Sequence, residues 1–186
     1  MATLSVTNFF NLSKATLVKF GALDWIADAV ADAIANSESV GNRICGLYYL
    51  ESYCLQLKSG RVRGDIEPIV SQEKAGIVRV DAKFGFAQPA FQRGIVPARE
   101  AALKNGICSL AIGHAHTCTS LGYFTEQIAK KNLIGIGFTN ASPIVAPPGG
   151  KSRIIGTNPI AFSVPDGNGK TAIHFDQSTT AVALGK

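Results

Sequence analysis

No apolar run in this 186-residue chain approaches the ~20 residues that a membrane-spanning helix requires, so no such helix is expected. The first residues, MATLSVTNFF, have neither the basic n-region nor the apolar h-region of a secretory signal, and a cytoplasmic protein is the expectation. Cysteine is sparse and scattered. Cys45, Cys54, Cys108 and Cys118 form no C-x-x-C pair, which excludes zinc and redox motifs of that spacing. In a cytosolic protein they are expected to be reduced and packed as small apolar residues. There is no G-x-G-x-x-G after a strand and no Walker A sequence, so the usual nucleotide fingerprints are missing. Internal repeats and low-complexity segments are lacking too. Nor is there a basic stripe. The net charge is +5, but Lys58, Arg61 and Arg63 form its densest group and aromatic residues do not interleave with them, so no nucleic-acid partner is expected.

What is present suits a folded α/β protein. A hydrophobic content of 46% with 17% charged residues is ordinary for a globular chain, long enough for one domain or a domain with a small helical appendage. Ser5 is placed to cap a helix running to about Phe20, with Phe9, Phe10, Leu17 and Val18 available for burial and Gly21 as its stop. Asp24 opens a second helix in which Ile26, Val30 and Ile34 recur every four residues. A third, Ile44 to about Lys58, would line up Leu47, Leu50, Cys54 and Leu57 and put Cys45 and Tyr49 on a shared face. Residues 1–64 therefore read as a helical part.

Residues 65–186 read as a mixed α/β domain. Strands are expected at Pro68–Val70 and Gly76–Asp81, then a helix from Pro89 to Asn105 stopped by Gly106, then a short buried strand at Cys108–Ile112. A helix begins near Ser120 or Leu121. Two apolar runs, Leu133–Phe138 and Ile160–Val164, flank a loop system containing Thr139-Asn140, Pro147-Pro148-Gly149-Gly150 and Gly156-Thr157-Asn158-Pro159. Gly and Pro at such density mark ordered loops at strand ends, where α/β proteins place ligands, although tight connections without a ligand share the pattern. A polar turn at Asp166–Lys170 leads to a strand at Ala172–Phe175, and TTAVALGK resembles the start of a further helix.

Three constellations could carry chemistry. His114 and His116 would point the same way in an extended backbone, but one further histidine, His174, and no adjacent carboxylate make a metal site a poor fit, and none is expected. A histidine with a free pKa of ~6.5 near a ligand loop suits acid–base work, as well as simple packing. Thr117-Cys118-Thr119-Ser120 precedes the helix at Leu121, which fits either phosphate binding at a helix N-terminus or ordinary capping. Asp176 follows a strand and could orient a ligand or cap the final helix.

Taken in order, VRVDAKFGFAQPA, LGYFTEQIA, FTNASPIVAPPGGK, GTNPIAF and FDQSTTAVALGK resemble the malate/L-lactate dehydrogenase family over nearly the whole chain. This is the non-Rossmann family that includes ureidoglycolate dehydrogenase, sulfolactate dehydrogenase and Δ1-piperideine-2-carboxylate reductase. The resemblance implies hydride transfer between NAD or NADP and a small 2-oxo acid, 2-hydroxy acid or cyclic imino acid. It also implies a non-Rossmann α/β fold with an N-terminal helical part, assembled as a homodimer. Family members continue past the point where this sequence stops, so the C-terminal part of the fold is missing from it. The resemblance assigns Thr117, Cys118, Thr119, Ser120 and Leu121, and then Asp176, Gln177 and Ser178, to cofactor binding. It sets Asn140 beside the nicotinamide and makes Thr157 a substrate contact. The family's usual Ser-His-Gly-x-x-Arg reads here Ile44-Cys45-Gly46-Leu47-Tyr48-Tyr49, so Cys45 stands in place of the proton-donating histidine and Tyr49 in place of the carboxylate-gripping arginine. A thiol with a free pKa of ~8.5 donates a proton less readily than imidazolium, and a phenol cannot form the bidentate charged pair. The catalytic candidates are then His116, Cys45 and Tyr49. A second reading is a relative that binds nucleotide or a partner chain without turnover.

Overall fold

The structure, a computed structural model, describes residues 4–180. These form two compact units that divide after Thr119.

The first unit opens with α1 (Val6–Lys19), whose N-terminus is held by Ser5: its hydroxyl accepts the Asn8 N–H at 3.2 Å. Leu17 is buried on this helix, whereas Val18 is exposed and Phe9 and Phe10 only half-buried. α2 (Asp24–Ser39) buries Ile26, Val30 and Ile34, the expected stripe, along with six more residues. Tyr53, Val62 and Phe86 complete that core with Leu17. The expected third helix is broken. A single 3₁₀ turn at Arg43–Cys45 and another at Leu47–Tyr49 precede α3 (Leu50–Lys58), with Gly46 between them at φ −95°, ψ −130°. Glu38 makes this break: its carboxylate accepts the Leu47 N–H at 2.8 Å and lies so close to Gly46 that a Cβ there would meet Oε1 at 2.3 Å.

β1 (Ile69–Lys74) and β2 (Ile77–Asp81) pair antiparallel, and β2 pairs parallel with β3 (Ser109–Gly113). Between the parallel strands runs α4 (Ala87–Asn105), with Pro89 in its first turn, where a missing N–H costs nothing, and Gly106 closing it at φ 81°. Val80, Ala82 and Ala90 form a second core against Leu110 and Ile112. β3 is where the expectation fails. The residues form a strand but not a buried one, since none of Ser109–Gly113 is fully buried.

The second unit packs α5 (Leu121–Ala129) against an antiparallel sheet of β4 (Gly135–Phe138), β5 (Ile160–Pro165) and β6 (Thr171–Gln177). The turn into β6 is set by Asp166, whose Oδ1 accepts the N–H groups of Asn168 and Lys170 at 2.7 and 2.9 Å. The helix expected from TTAVALGK lies mostly outside the described residues. No described helix is long and apolar enough to cross a membrane.

Candidate functional site

In the first unit the candidate acid–base residues gather around a side chain that sequence reasoning missed. Tyr53, fully buried, stacks on Tyr49 (centroids 6.0 Å apart, 30° between planes) and meets the rings of Phe86 at 5.4 Å and His116 at 5.9 Å edge-on. Cys45 and Cys118 lie close enough to act on its phenol electrostatically. Tyr53 stands four residues after Tyr49, and that spacing was the available signal.

His116 is fixed through its backbone. Its N–H donates to Gly85 O at 2.8 Å, and its carbonyl accepts the Ala87 N–H at 3.1 Å, at the start of α4. Its Nε2 is buried and has no hydrogen-bond partner among the described residues. Burial, with a smaller contribution from the Arg61 charge, holds its pKa below the usual histidine value, so at neutral pH the ring is uncharged. His114 does not accompany it. With φ 48° the backbone leaves the extended form, and His114 turns outward to Asp81, Nδ1 to Oδ1 3.0 Å. The expectation that the two histidines share a direction is therefore corrected. Among the described residues no group of three or more His, Cys, Asp or Glu side chains could hold a metal.

Cys45 and Tyr49 also differ from the expected arrangement: they sit on separate 3₁₀ turns rather than on one helical face. Burial pushes the Tyr49 phenol above its ordinary pKa, with Cys45 and Tyr48 adding to this, so it remains a hydrogen-bond donor. The Thr117–Thr119 turn is tied down by Gln88, a buried amide in an otherwise apolar run, which donates to Cys118 O at 3.3 Å. Thr119 adopts φ 56°, and its N–H reaches the Thr117 hydroxyl at 3.2 Å. A residue other than glycine held in this region stores on the order of 1–3 kcal/mol of strain, which is common where a ligand is clamped.

Burial drives the Tyr53 phenol far above its normal pKa. The nearby Thr119 hydroxyl opposes this, but among the described residues no partner completes a hydrogen bond to Tyr53 Oη. An unsatisfied buried hydroxyl costs about 1–3 kcal/mol. Tyr53→Phe is accordingly expected to raise stability by about 1 kcal/mol in urea denaturation. A loss of that size would show that the hydroxyl is satisfied.

In the second unit the other candidates converge. Ser120 is the N-cap of α5 by position but makes no side-chain cap bond. The cap comes instead from Asp176 on β6, whose Oδ2 accepts the Gly122 N–H at 2.7 Å and the Ser120 hydroxyl at 3.1 Å. Gly122 is obligatory, because a Cβ would lie 2.7 Å from His174 Cε1 and 2.8 Å from Asp176 Cβ. A buried hydroxyl chain continues inward. Thr125 Oγ1 donates to Gly122 O, Ser163 Oγ donates to Thr125 Oγ1 at 2.8 Å, and Ser163 Oγ lies 2.8 Å from His174 Nδ1. The single Ser163 proton is spent on Thr125, so His174 Nδ1 must be the donor to Ser163.

Asp176 thus caps α5, and the final helix it was also expected to cap lies outside the described residues. A carboxylate already satisfies this helix N-terminus, so the arrangement does not suit a phosphate there. It suits the ligand's hydrogen-bond donors, such as ribose hydroxyls or a carboxamide. Thr157 and the 176–178 segment are joined as well. Thr157 O accepts from the Ser178 hydroxyl at 3.3 Å and from the Thr179 N–H at 3.0 Å. Beside them, the Ala141 N–H donates to Asn158 Oδ1 at 2.9 Å, which holds the Asn140 loop against the Gly156–Pro159 turn. Leu121, Asn140, Thr157 and Asp176–Ser178 therefore belong to one loop system.

The family model described as malate/L-lactate dehydrogenase matches residues 4–186. The chain is 37% identical over 184 residues to (2R)-3-sulfolactate dehydrogenase (NADP(+)) of Chromohalobacter salexigens, covering 98% of this chain and 54% of that protein. It is 33% identical to the Δ1-pyrroline-2-carboxylate/Δ1-piperideine-2-carboxylate reductase of Pseudomonas syringae pv. tomato, covering 98% and 53%. Among solved structures, Δ1-piperideine-2-carboxylate reductase from P. syringae superposes with a TM-score of 0.92 at 33% identity, covering 98% of this chain and 55% of that one. Malate dehydrogenase from Pyrococcus horikoshii superposes with 0.91 at 28% identity, covering 98% and 52%. The chain spans about half the length of the relatives it matches. By the match of nearly its whole length, and by a fold shared with those enzymes, this chain belongs to the malate/L-lactate dehydrogenase family.

Proposed function

We propose that the protein is an NAD(P)-dependent oxidoreductase acting on a small 2-oxo or 2-hydroxy acid or a cyclic imino acid, as a cytoplasmic homodimer. The carrying observation is the gathering of Cys45, Tyr49, His116 and the Thr117–Thr119 turn around buried Tyr53. When bound, the nicotinamide supplies or accepts the hydride. His116 is uncharged at neutral pH and its Nε2 has no hydrogen-bond partner among the described residues, so it suits taking the proton of a substrate hydroxyl in the oxidative direction. Cys45 and Tyr49 can each offer a hydrogen bond to the substrate. Asp176, Gln177 and Ser178, with Ser120 and Leu121, would hold the cofactor's hydrogen-bonding groups, Asn140 would sit beside the nicotinamide, and Thr157 would contact the substrate.

A relative that binds nucleotide without turnover is the second reading, favoured by the thiol at 45 and the phenol at 49. One experiment separates the two. NADH and NADPH are titrated by nicotinamide fluorescence, and their oxidation is followed against a panel of 2-oxo acids and cyclic imines. Binding with consumption is the expected result. Binding alone favours the second reading, and the absence of both from a folded protein would refute each.

A further inference from the structure

We propose that Arg61 is the carboxylate anchor of this site, so that an acid substrate is held at the His116 side of the Tyr53 cluster and not at the Cys45–Tyr49 side. The inference rests on the proposed function, in which the substrate is a small organic acid. The matched relatives are named for sulfolactate and for cyclic imine carboxylates, all anions. An anion of this size needs a cation at the site, because burying a carboxylate without one is costly.

The Cys45–Tyr49 end suits that carboxylate less well, although Arg43 begins its turn. Its own turn is built on the Glu38 carboxylate, which bonds the Leu47 N–H and fills the space over Gly46. A second carboxylate arriving there would face like charge. The opposite edge differs. Val62 is buried in the same core as Tyr53 and Phe86, and its N–H donates to Gln56 O, so Arg61 is carried on the rim of that core. The next residue but one, Arg63, is anchored by its N–H to Phe84 O, two residues before Phe86. The ring of His116 rests on Tyr53 and Phe86, and Arg61 is the charge that acts on it.

The neighbouring arginines are committed. Arg63 pairs with Asp65, and Arg93 pairs with Glu67 while lying over the Trp25 ring. Arg61 is exposed and takes part in no ion pair among the described residues. A guanidinium in no ion pair, on the rim of the same core as a buried histidine nitrogen with no hydrogen-bond partner among the described residues, is the pairing a 2-oxo or 2-imino acid calls for. The carboxylate would go to Arg61, and the adjacent reacting heteroatom would go to His116.

The test uses pyrrole-2-carboxylate, a planar unreactive analogue of the cyclic imine acids, and its carboxamide, each titrated into the full chain by NMR with the His116 ring signals as reporter. The expected result is at least tenfold tighter binding of the carboxylate, abolished in Arg61→Gln and partly kept in Arg61→Lys. Because the side chain is exposed, Arg61→Gln should melt with the parent. No carboxylate preference in the parent, or a preference that survives Arg61→Gln, overturns the proposal. NADPH titration of the same samples is read separately. NADPH bound with an indifferent Arg61 sinks the anchor alone. An Arg61-dependent carboxylate preference without NADPH binding leaves the anchor and sinks the dehydrogenase reading.

Discussion

Replacing Gly156 with alanine is expected to collapse the loop system of the second unit, with a loss of about 3 kcal/mol or more in thermal or denaturant unfolding. The residue is buried, and an added Cβ would lie 2.1 Å from Ala141 O and 2.6 Å from Asn158 Oδ1. The first obstacle is backbone and cannot swing aside, and the second is a side-chain end held in place by its hydrogen bond from the Ala141 N–H. Relief therefore requires the two loops to separate, which removes the bond between the Asn140 and Thr157 segments. Gly167→Ala is the matched control. It has open space around its Cβ and a φ of +82°, so it should lose only about 1 kcal/mol of backbone strain. Equal losses from the two substitutions would show that the 141–158 contact is not the determining feature. Amide exchange at Ala141 and Ile155, faster in Gly156→Ala alone, would locate the damage.

The contrast between these two glycines shows what was legible in the sequence. Both sit in Gly-rich turns, and local pattern marks both as loop residues. Helical stripes are local, so Ile26, Val30 and Ile34 declared α2 and its buried face without help from the rest of the chain. The Asp166 turn and the Gly106 stop are local too. The failures came where a distant group decides. Glu38, nine residues away, breaks the helix expected through Cys45 and Tyr49. The strand at Ser109–Gly113 formed from its composition, but composition cannot report what covers a strand, and its side chains are left uncovered in part. For the histidine pair, extended geometry was assumed, and the left-handed backbone at His114 sends the two rings into different surroundings. Tyr53 was hidden for a related reason: it presents as one more apolar position on a helix until Phe86 and His116, more than thirty residues on, arrive against it.

Asp176 is the sharpest case, because its partners Ser120 and Gly122 lie 56 and 54 residues before it. Asp176→Ala is expected to cost about 1–2 kcal/mol, the usual penalty for losing a helix cap, and to lower nicotinamide nucleotide affinity severalfold by releasing the start of α5. Asp176→Asn separates the two effects. Its side-chain oxygen can still accept the Gly122 N–H, so most of the stability should return, but the charge that favours the helix N-terminus is gone. If Asp176 also accepts hydrogen bonds from bound nucleotide, Asp176→Asn will fold nearly as well as the parent while binding NADPH more weakly. Parent-like binding with parent-like stability would assign the residue to capping alone. The carboxylate already occupies the helix end, so an anion should not be needed to stabilise it. Added phosphate should leave the melting temperature of the parent unchanged and should raise that of Asp176→Ala, where the N–H groups of the first turn are left open to it.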